Sequence, residues 1–369
     1  MTSTLITPFL DALSMEPARN SVSKGGKAIG YFCTYTPVEM IHAAGFTPVR
    51  VAGGIAAVTA ADALTPNFIC PFMRVALERA LAGEYRFLSG IVQGYTCDVA
   101  CGLVHIWEEN IGGEIYHTVP LPYNDSPAAR DFLRASLQEL AAKLKAAGGC
   151  MSDGSLNRSL ALYGKIRKTV MELYELRQNG KLPLSGADFY RVLQAAFVTP
   201  PEDYLVMAER LRDQVADADE TDAPRDIPIL ISGSLVEVPE IVAICEDAGG
   251  AVVADDLCTG YRWFSHPEGE GHDPMERLID RYMKRIPCPS RTRAEERIPC
   301  LVELVMRSGA RGVVFLLQKF CTPHLADHPV LVKALKERGI PSLFFEMEET
   351  GIMEGQLRTR LESFFQVIG

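Results

Sequence analysis

No CxxC, CxxCxxC or HExxH spacing occurs in the 369-residue chain, so the local signatures of a zinc ribbon, a ferredoxin-type cluster and a metalloprotease are missing. No GxGxxG follows a strand-like run, since the glycines of GGKAIG and VAGGIA have other spacings, and neither GxxxxGKS nor GxxxxGKT is present. A nicotinamide or flavin fingerprint is therefore absent, and any use of ATP falls to a partner protein. Positive charge is scarce as well. A formal charge of −10 argues against a broad nucleic-acid surface and leaves room only for a local basic pocket. The longest apolar stretch, Val51 to Ala61, is about half of what a spanning helix needs. The first twenty residues lack a basic segment followed by an apolar one, so the expected location is cytoplasmic, with no membrane and no nucleic acid as partner.

Cysteine is plentiful by contrast, at ten residues. In a reducing compartment, unusual cysteine usage points to metal or redox chemistry, although free cysteine is also among the most buried residue types. Position has to separate the two roles. Hydrophobic residues make up 47% of the chain against 23% charged, enough for compact folding, and the length favours two domains.

Strand-like and helix-like segments alternate in the first part of the chain. Ala28 to Cys33, Pro48 to Ala52, Phe87 to Val92 and Glu114 to Val119 read as strands; Pro37 to Ala44, Pro66 to Ala82, Asp98 to Asn110 and a long segment capped by Ser126 read as helices. Residues 151–224 carry helical periodicity without strand runs, and the acidic stretch ADADETDAPRD reads as a boundary. Alternation then resumes with Ile227 to Ile231, Pro239 to Ala248 and Ala251 to Ala254. Gly312 to Leu317, a helix over Pro329 to Arg338, Ser342 to Glu346 and a last helix from about Gln356 complete it. The expected fold class is α/β: two Rossmann-like parallel-sheet domains, 1–150 and 225–369, facing a cleft, with a helical connecting segment over 151–224.

The two α/β parts resemble each other. IGYFCTYTPVEMIHAAGFTPVRVAG and ILISGSLVEVPEIVAICEDAGGAVVAD share a strand, a loop, a helix opened by Pro and Glu, an Ala-Gly stop and a second strand. RFLSGIVQGYTCD and RGVVFLLQKFCTP each set an apolar strand before a cysteine, which puts Cys97 and Cys321 at the carboxyl ends of corresponding strands. Ligands of open α/β sheets bind at that edge. Cys70, near the start of the helix before the Cys97 strand, can approach the same cleft. Three thiolates suit a soft metal or an iron-sulfur cluster, and zinc is the plainer metal alternative.

Five blocks of the chain then resemble the 2-hydroxyacyl-CoA dehydratase and benzoyl-CoA reductase subunits, a family that includes the D-component of 2-hydroxyglutaryl-CoA dehydratase. The blocks are IGYFCTYTPVEMIHAAGFTPVRV, NFICPFMRVALERALAGEYRFLSGIVQGYTCD, AICEDAGGAVVADDLCTGYRWF, LLQKFCTPH and GIPSLFFEMEETGIMEGQLRTRLESFF, in family order and spacing. The resemblance implies a [4Fe-4S] cluster held by Cys70, Cys97 and Cys321. It also implies a heterodimer with a homologous second subunit, an ATP-hydrolysing iron-sulfur activator protein and an acyl-CoA substrate. In the dehydratases of that family, one low-potential electron turns the thioester carbonyl into a ketyl radical that expels the neighbouring hydroxyl; in the benzoyl-CoA reductases an aromatic ring is reduced instead. An electron-transfer or double-cubane accessory protein is a further alternative, weakened by the absence of any cysteine between Cys70 and Cys97. A two-domain small-molecule-binding protein whose cysteines merely pack is the non-redox alternative.

Thr34, Tyr35 and Glu39 follow the first strand and are expected to line the cleft. Glu39 is a candidate for moving a proton or for complementing the positive end of its helix, Thr34 a candidate catalytic residue and Tyr35 a candidate substrate contact. Asp98 opens the helix after Cys97 in a structural role. Arg262 is a candidate for binding a CoA phosphate or for pairing with Asp255 or Asp256. Cys258, just beyond a strand, is the strongest rival for a ligand position, and Cys101 a weaker one. Arg358 and Arg360 are expected to decorate the last helix, and His324, three after Cys321, to lie at the surface.

Overall fold

Two four-stranded parallel sheets with the same strand order organise the protein. The computed structural model describes residues 2–216, 227–266, 269–291, 294–348 and 354–369. Apart from Ala216, the boundary expected at 216–226 lies outside the described residues.

Helices α1 (Thr2–Leu13) and α2 (Glu16–Ser23) precede β1 (Lys27–Tyr31), α3 (Val38–Ala43) and β2 (Phe46–Arg50). Then come α4 (Pro71–Leu81), β3 (Leu88–Gly94), α5 (Asp98–Asn110), β4 (Ile115–Val119) and α6 (Pro127–Ala146). Three helices follow: α7 (Asp153–Gln178), α8 (Gly186–Ala195) and α9 (Pro201–Val215). The second sheet is built from β5 (Ile227–Gly233), β6 (Gly250–Asp256), β7 (Gly312–Gln318) and β8 (Ser342–Met347). Its helices are α10 (Glu240–Asp247), α11 (Tyr261–Phe264), α12 (Pro274–Lys284), α13 (Ala294–Ser308), α14 (Thr322–Lys336) and α15 (Glu354–Ile368).

The sheets run β2-β1-β3-β4 and β6-β5-β7-β8, all neighbours parallel. Parallel neighbours need crossover helices, which cover both faces, so the central strands read as unbroken apolar runs. Every residue of β7, GVVFLLQ, is buried. In each sheet the order reverses direction between the first and third strands, and the crevice outside their carboxyl ends is the usual ligand position.

Helix α7 ties the halves together. Ser152 and Ser155 form a capping box at its start, and its buried face, including Leu160, Tyr163, Arg167 and Tyr174, packs against α3 on one side and α11, α12 and β6 on the other. Two further ties are polar. Arg50 of β2 and Glu237, before α10, form a buried ion pair at 2.7 Å, and Tyr282 of α12 donates to the Thr36 carbonyl at 2.8 Å.

Two helix boundaries differ from the sequence reading, each at a site cysteine. The helix expected over 66–82 starts at Pro71, because Cys70 is extended (φ −63°, ψ 144°) and caps it. The helix expected from Pro329 starts at Thr322 and carries Pro329 inside, forgoing one backbone hydrogen bond.

Candidate functional site

Cys70, Cys97 and Cys321 are the N-cap residues of α4, α5 and α14. Cys97 and Cys321 follow the third strand of their respective sheets, at the edge where strand order reverses. Each thiol faces the first turn of its own helix, and the backbone N–H three residues on, from Met73, Ala100 and His324, favours the thiolate. The Ala100 N–H donates to Cys97 Sγ at 3.4 Å. Helix N-termini carry partial positive charge, a setting that stabilises thiolates.

Burial works the other way and prevails. It pushes the Cys70 thiol up to about 12, with the Cys97 thiol adding to the rise. Burial raises Cys321 well above its ordinary value, followed by the effect of Cys70 and then that of Cys97. All three pairs therefore lie within electrostatic reach of one another, and burial favours the thiol form in each. A group binding there must displace those protons. Among the described residues, no three His, Cys, Asp or Glu side chains converge closely enough to hold a single metal ion. Three thiols at three helix ends, within electrostatic reach of one another, have the donor chemistry of a soft metal or an iron-sulfur cluster.

The turn into Cys321 is strained. Phe320 has φ 61°, a conformation that a bulky residue rarely adopts. The turn into Cys97 has no such residue, and space there is managed by glycine. A Cβ on Gly94 would come within 2.5 Å of the Tyr35 carbonyl oxygen, so only glycine lets the 34–36 loop close over β3. Thr36 Oγ1 then accepts from the Gly94 N–H at 3.0 Å.

Thr34 and Tyr35 lie in that loop, buried. Arg285 donates to the Thr34 carbonyl at 2.6 Å and reaches its hydroxyl at 3.4 Å, while Tyr35 donates to the Ile286 carbonyl at 3.2 Å. Glu39 is fully buried, paired with Arg167 and accepting from Tyr282 at 2.7 Å. Burial alone raises its pKa, but Arg167, Arg281 and the Tyr282 hydroxyl outweigh that and hold the carboxyl below its ordinary value. Arg262 is 2% exposed and pairs with Asp256 at 2.9 Å, the structural one of its two expected roles. Arg358 does decorate the last helix, bonded to Glu354, and Arg360 donates to the Phe344 carbonyl at 2.7 Å. His324 is buried, not at the surface, because α14 begins at Thr322 and turns it inward.

Further thiols stand nearby. Cys258 contributes to the rise of Cys321, and Cys288 to that of Cys97. Cys33, directly after β1, accepts from Thr96 Oγ1 at 3.2 Å. The sequence reading has Cys33 as the last residue of its first strand, whereas β1 ends at Tyr31; Cys288, in the aperiodic segment IPCPSR, carries no signal. Three aromatics rim the thiol-bearing turns: Phe68, Tyr95 and Phe320, one or two residues before each cysteine, are 66%, 42% and 39% exposed.

Comparison with known proteins gives these features a family. Residues 33–368 match the family described as 2-hydroxyglutaryl-CoA dehydratase, D-component. A benzoyl-CoA reductase subunit from Thauera aromatica is 29% identical, the match covering 92% of this chain and 90% of that protein. The (R)-phenyllactyl-CoA dehydratase beta subunit of Clostridium sporogenes is 26% identical over 93% and 92%. The (R)-2-hydroxyglutaryl-CoA dehydratase beta subunit of Acidaminococcus fermentans is 25% identical over 93% and 92%. With a match that begins just after β1 and takes in all three cysteines and the whole second sheet, this chain belongs to the 2-hydroxyglutaryl-CoA dehydratase D-component family.

Proposed function

We propose that the protein is the [4Fe-4S]-bearing subunit of a 2-hydroxyacyl-CoA dehydratase, with Cys70, Cys97 and Cys321 as the cluster ligands. The observation that carries this reading is that these three cysteines occupy the N-cap positions of three helices and act electrostatically on one another. A cluster held there by Cys70, Cys97 and Cys321 would supply one-electron transfer and Lewis acidity toward a substrate oxygen. The chain's residues hold and shield it. The N–H groups of Met73, Ala100 and His324 favour the thiolates once their protons leave. Buried Arg262 and Arg297, both bound to Asp256, fix the turn that carries Cys258. Thr34 and Tyr35, fastened by Arg285, form the opposite wall of the crevice. Glu39 is assigned to the core and not to proton transfer, since its carboxylate is spent on Arg167 and Tyr282.

The reading includes a homologous second subunit against the aromatic rim, an ATP-hydrolysing activator and a cytoplasmic location; among the described residues no helix is long and apolar enough to cross a membrane. It takes residues 1–150 and 225–369 as the two walls of the site. The 29% identity to a benzoyl-CoA reductase subunit supports a second reading, reduction of an aromatic acyl-CoA by the same cluster.

Anaerobic co-purification with the second subunit, followed by iron and sulfide analysis and electron paramagnetic resonance, tests the assignment. Cys70→Ala, Cys97→Ala and Cys321→Ala are each expected to lose the cluster signal of this subunit. Full iron content in all three variants overturns the ligand set.

A further inference from the structure

Among the described residues, two buried guanidinium groups at the junction of the two halves have no carboxylate within ion-pair distance. Arg262 and Arg297 share Asp256, and Arg167 and Arg281 both act on Glu39, but Arg285 and Arg291 are held by backbone carbonyls. An arginine does not shed its charge on burial, so a buried guanidinium held by carbonyl groups and not ion-paired is compensated only in part. Arg281 lies deep in the core. Arg285 and Arg291, 4% and 8% exposed, border a cavity of 330 Å³ between the β4–α6 loop and the segment after α12. The Tyr35 ring lies between them, 4.1 Å from one guanidinium and 5.0 Å from the other. The Nε atom of each has no hydrogen-bond partner. Tyr123, 76% exposed, and Asn124 stand at the rim of the same cavity.

The geometry points to an oxyanion subsite: the cavity takes a phosphate group carried on an organic ligand, neutralised by Arg285 and Arg291, with Tyr123 as a plate for an attached planar ring. Its size falls within the range of about 300–1,000 Å³ usual for small-molecule sites. Arginine is suited to planar recognition of phosphate, and an exposed aromatic beside it suits a nucleobase. Two carboxylates temper the field. Asp125 is engaged by Arg130 at 2.9 Å, whereas Glu296 borders the cavity directly, so the site selects a ligand by its fit as well as by its charge. This subsite transfers the phosphate-binding role from Arg262, which Asp256 occupies, to two arginines 23 and 29 residues further along the chain. It rests on the acyl-CoA reading only for the source of the phosphate, which is either the nucleotide end of a CoA thioester or a free phosphate ion.

Isothermal titration of the full chain, in complex with its second subunit, tests this with coenzyme A, adenosine 3′,5′-bisphosphate, pantetheine and inorganic phosphate as separate probes. Coenzyme A and the bisphosphate are expected to bind and pantetheine not to. Arg285→Met and Arg291→Met are each expected to weaken binding by about tenfold or more, as for loss of a charge-assisted hydrogen bond. Tyr123→Ala, at an exposed position that folding does not need, is expected to weaken the bisphosphate and leave inorganic phosphate unchanged. Binding of inorganic phosphate that coenzyme A does not displace identifies the free ion as the source. Equal binding of pantetheine and coenzyme A, or nucleotide binding that none of the three variants alters, overturns the subsite. The readout is independent of iron: nucleotide binding without a cluster leaves the subsite standing and removes the dehydratase reading, and a cluster without nucleotide binding does the reverse.

Discussion

The two sheets repeat one backbone plan, yet their site edges are chemically unlike. Cys97 and Cys321 follow the same strand in the same order, cap the next helix, and meet the N–H three residues on. A glutamine just before each turn repeats as well. Gln93 Oε1 accepts from the N–H groups of Phe32 and Cys33 at 3.0 and 3.1 Å, and Gln318 donates to the Leu235 carbonyl at 3.5 Å. Beyond that the halves diverge. The first supplies two of the three proposed ligands; the second supplies one, reached through the strained Phe320, along with Arg262, Arg285, Arg291 and Arg297. Two of the three proposed ligand thiols thus come from one half, and these four buried guanidiniums from the other.

The largest expected effect comes from cutting the tie between the halves. Arg50→Met leaves Glu237 buried and unpaired, with an expected cost of about 3–5 kcal/mol. Urea denaturation should show one transition at a lower midpoint; two separate transitions would mean that the halves fold independently.

Glu39→Gln is expected to cost a similar amount near neutral pH, because Arg167 loses its carboxylate. The pH dependence has a definite sign. The folded carboxyl titrates below its unfolded value, so its contribution is fully present above the unfolded pKa and is lost as pH falls through the folded one. The stability gap between wild type and variant should therefore close in acid, below about pH 4.3. A gap that widens in acid would contradict the ion-pair account.

The duplicated glutamines give the sharpest comparison at smaller scale. Gln93→Ala strands two N–H groups in a fully buried position and is expected to cost about 2–3 kcal/mol; Gln318→Ala loses one long bond, for about 1 kcal/mol or less. Equal losses would show that the two turns are energetically alike after all.

Much of this was legible before any coordinates. Strands such as GVVFLLQ announce themselves because a parallel strand buried on both faces needs an unbroken apolar run. The repeat placed Cys97 and Cys321 at matching strand ends, and family resemblance added Cys70. Helix starts at Cys70 and Cys321 were less legible, since a cap is defined by backbone angles and cysteine is not a habitual capping residue. The meeting of Thr34 with Arg285, 251 positions apart, has no local signal at all.

By itself, then, the sequence determined the alternation of strands and helices, the duplication and the cysteine-bearing turns, because each depends on residues close together in the chain. Only the tertiary structure decided that Arg262 is spent on Asp256, that Glu39 is sealed in the core, and that Arg285 and Arg291 both lie over the Tyr35 ring. Those outcomes depend on which charges burial brings together, and in a packed interior that is set by the docking of the two halves.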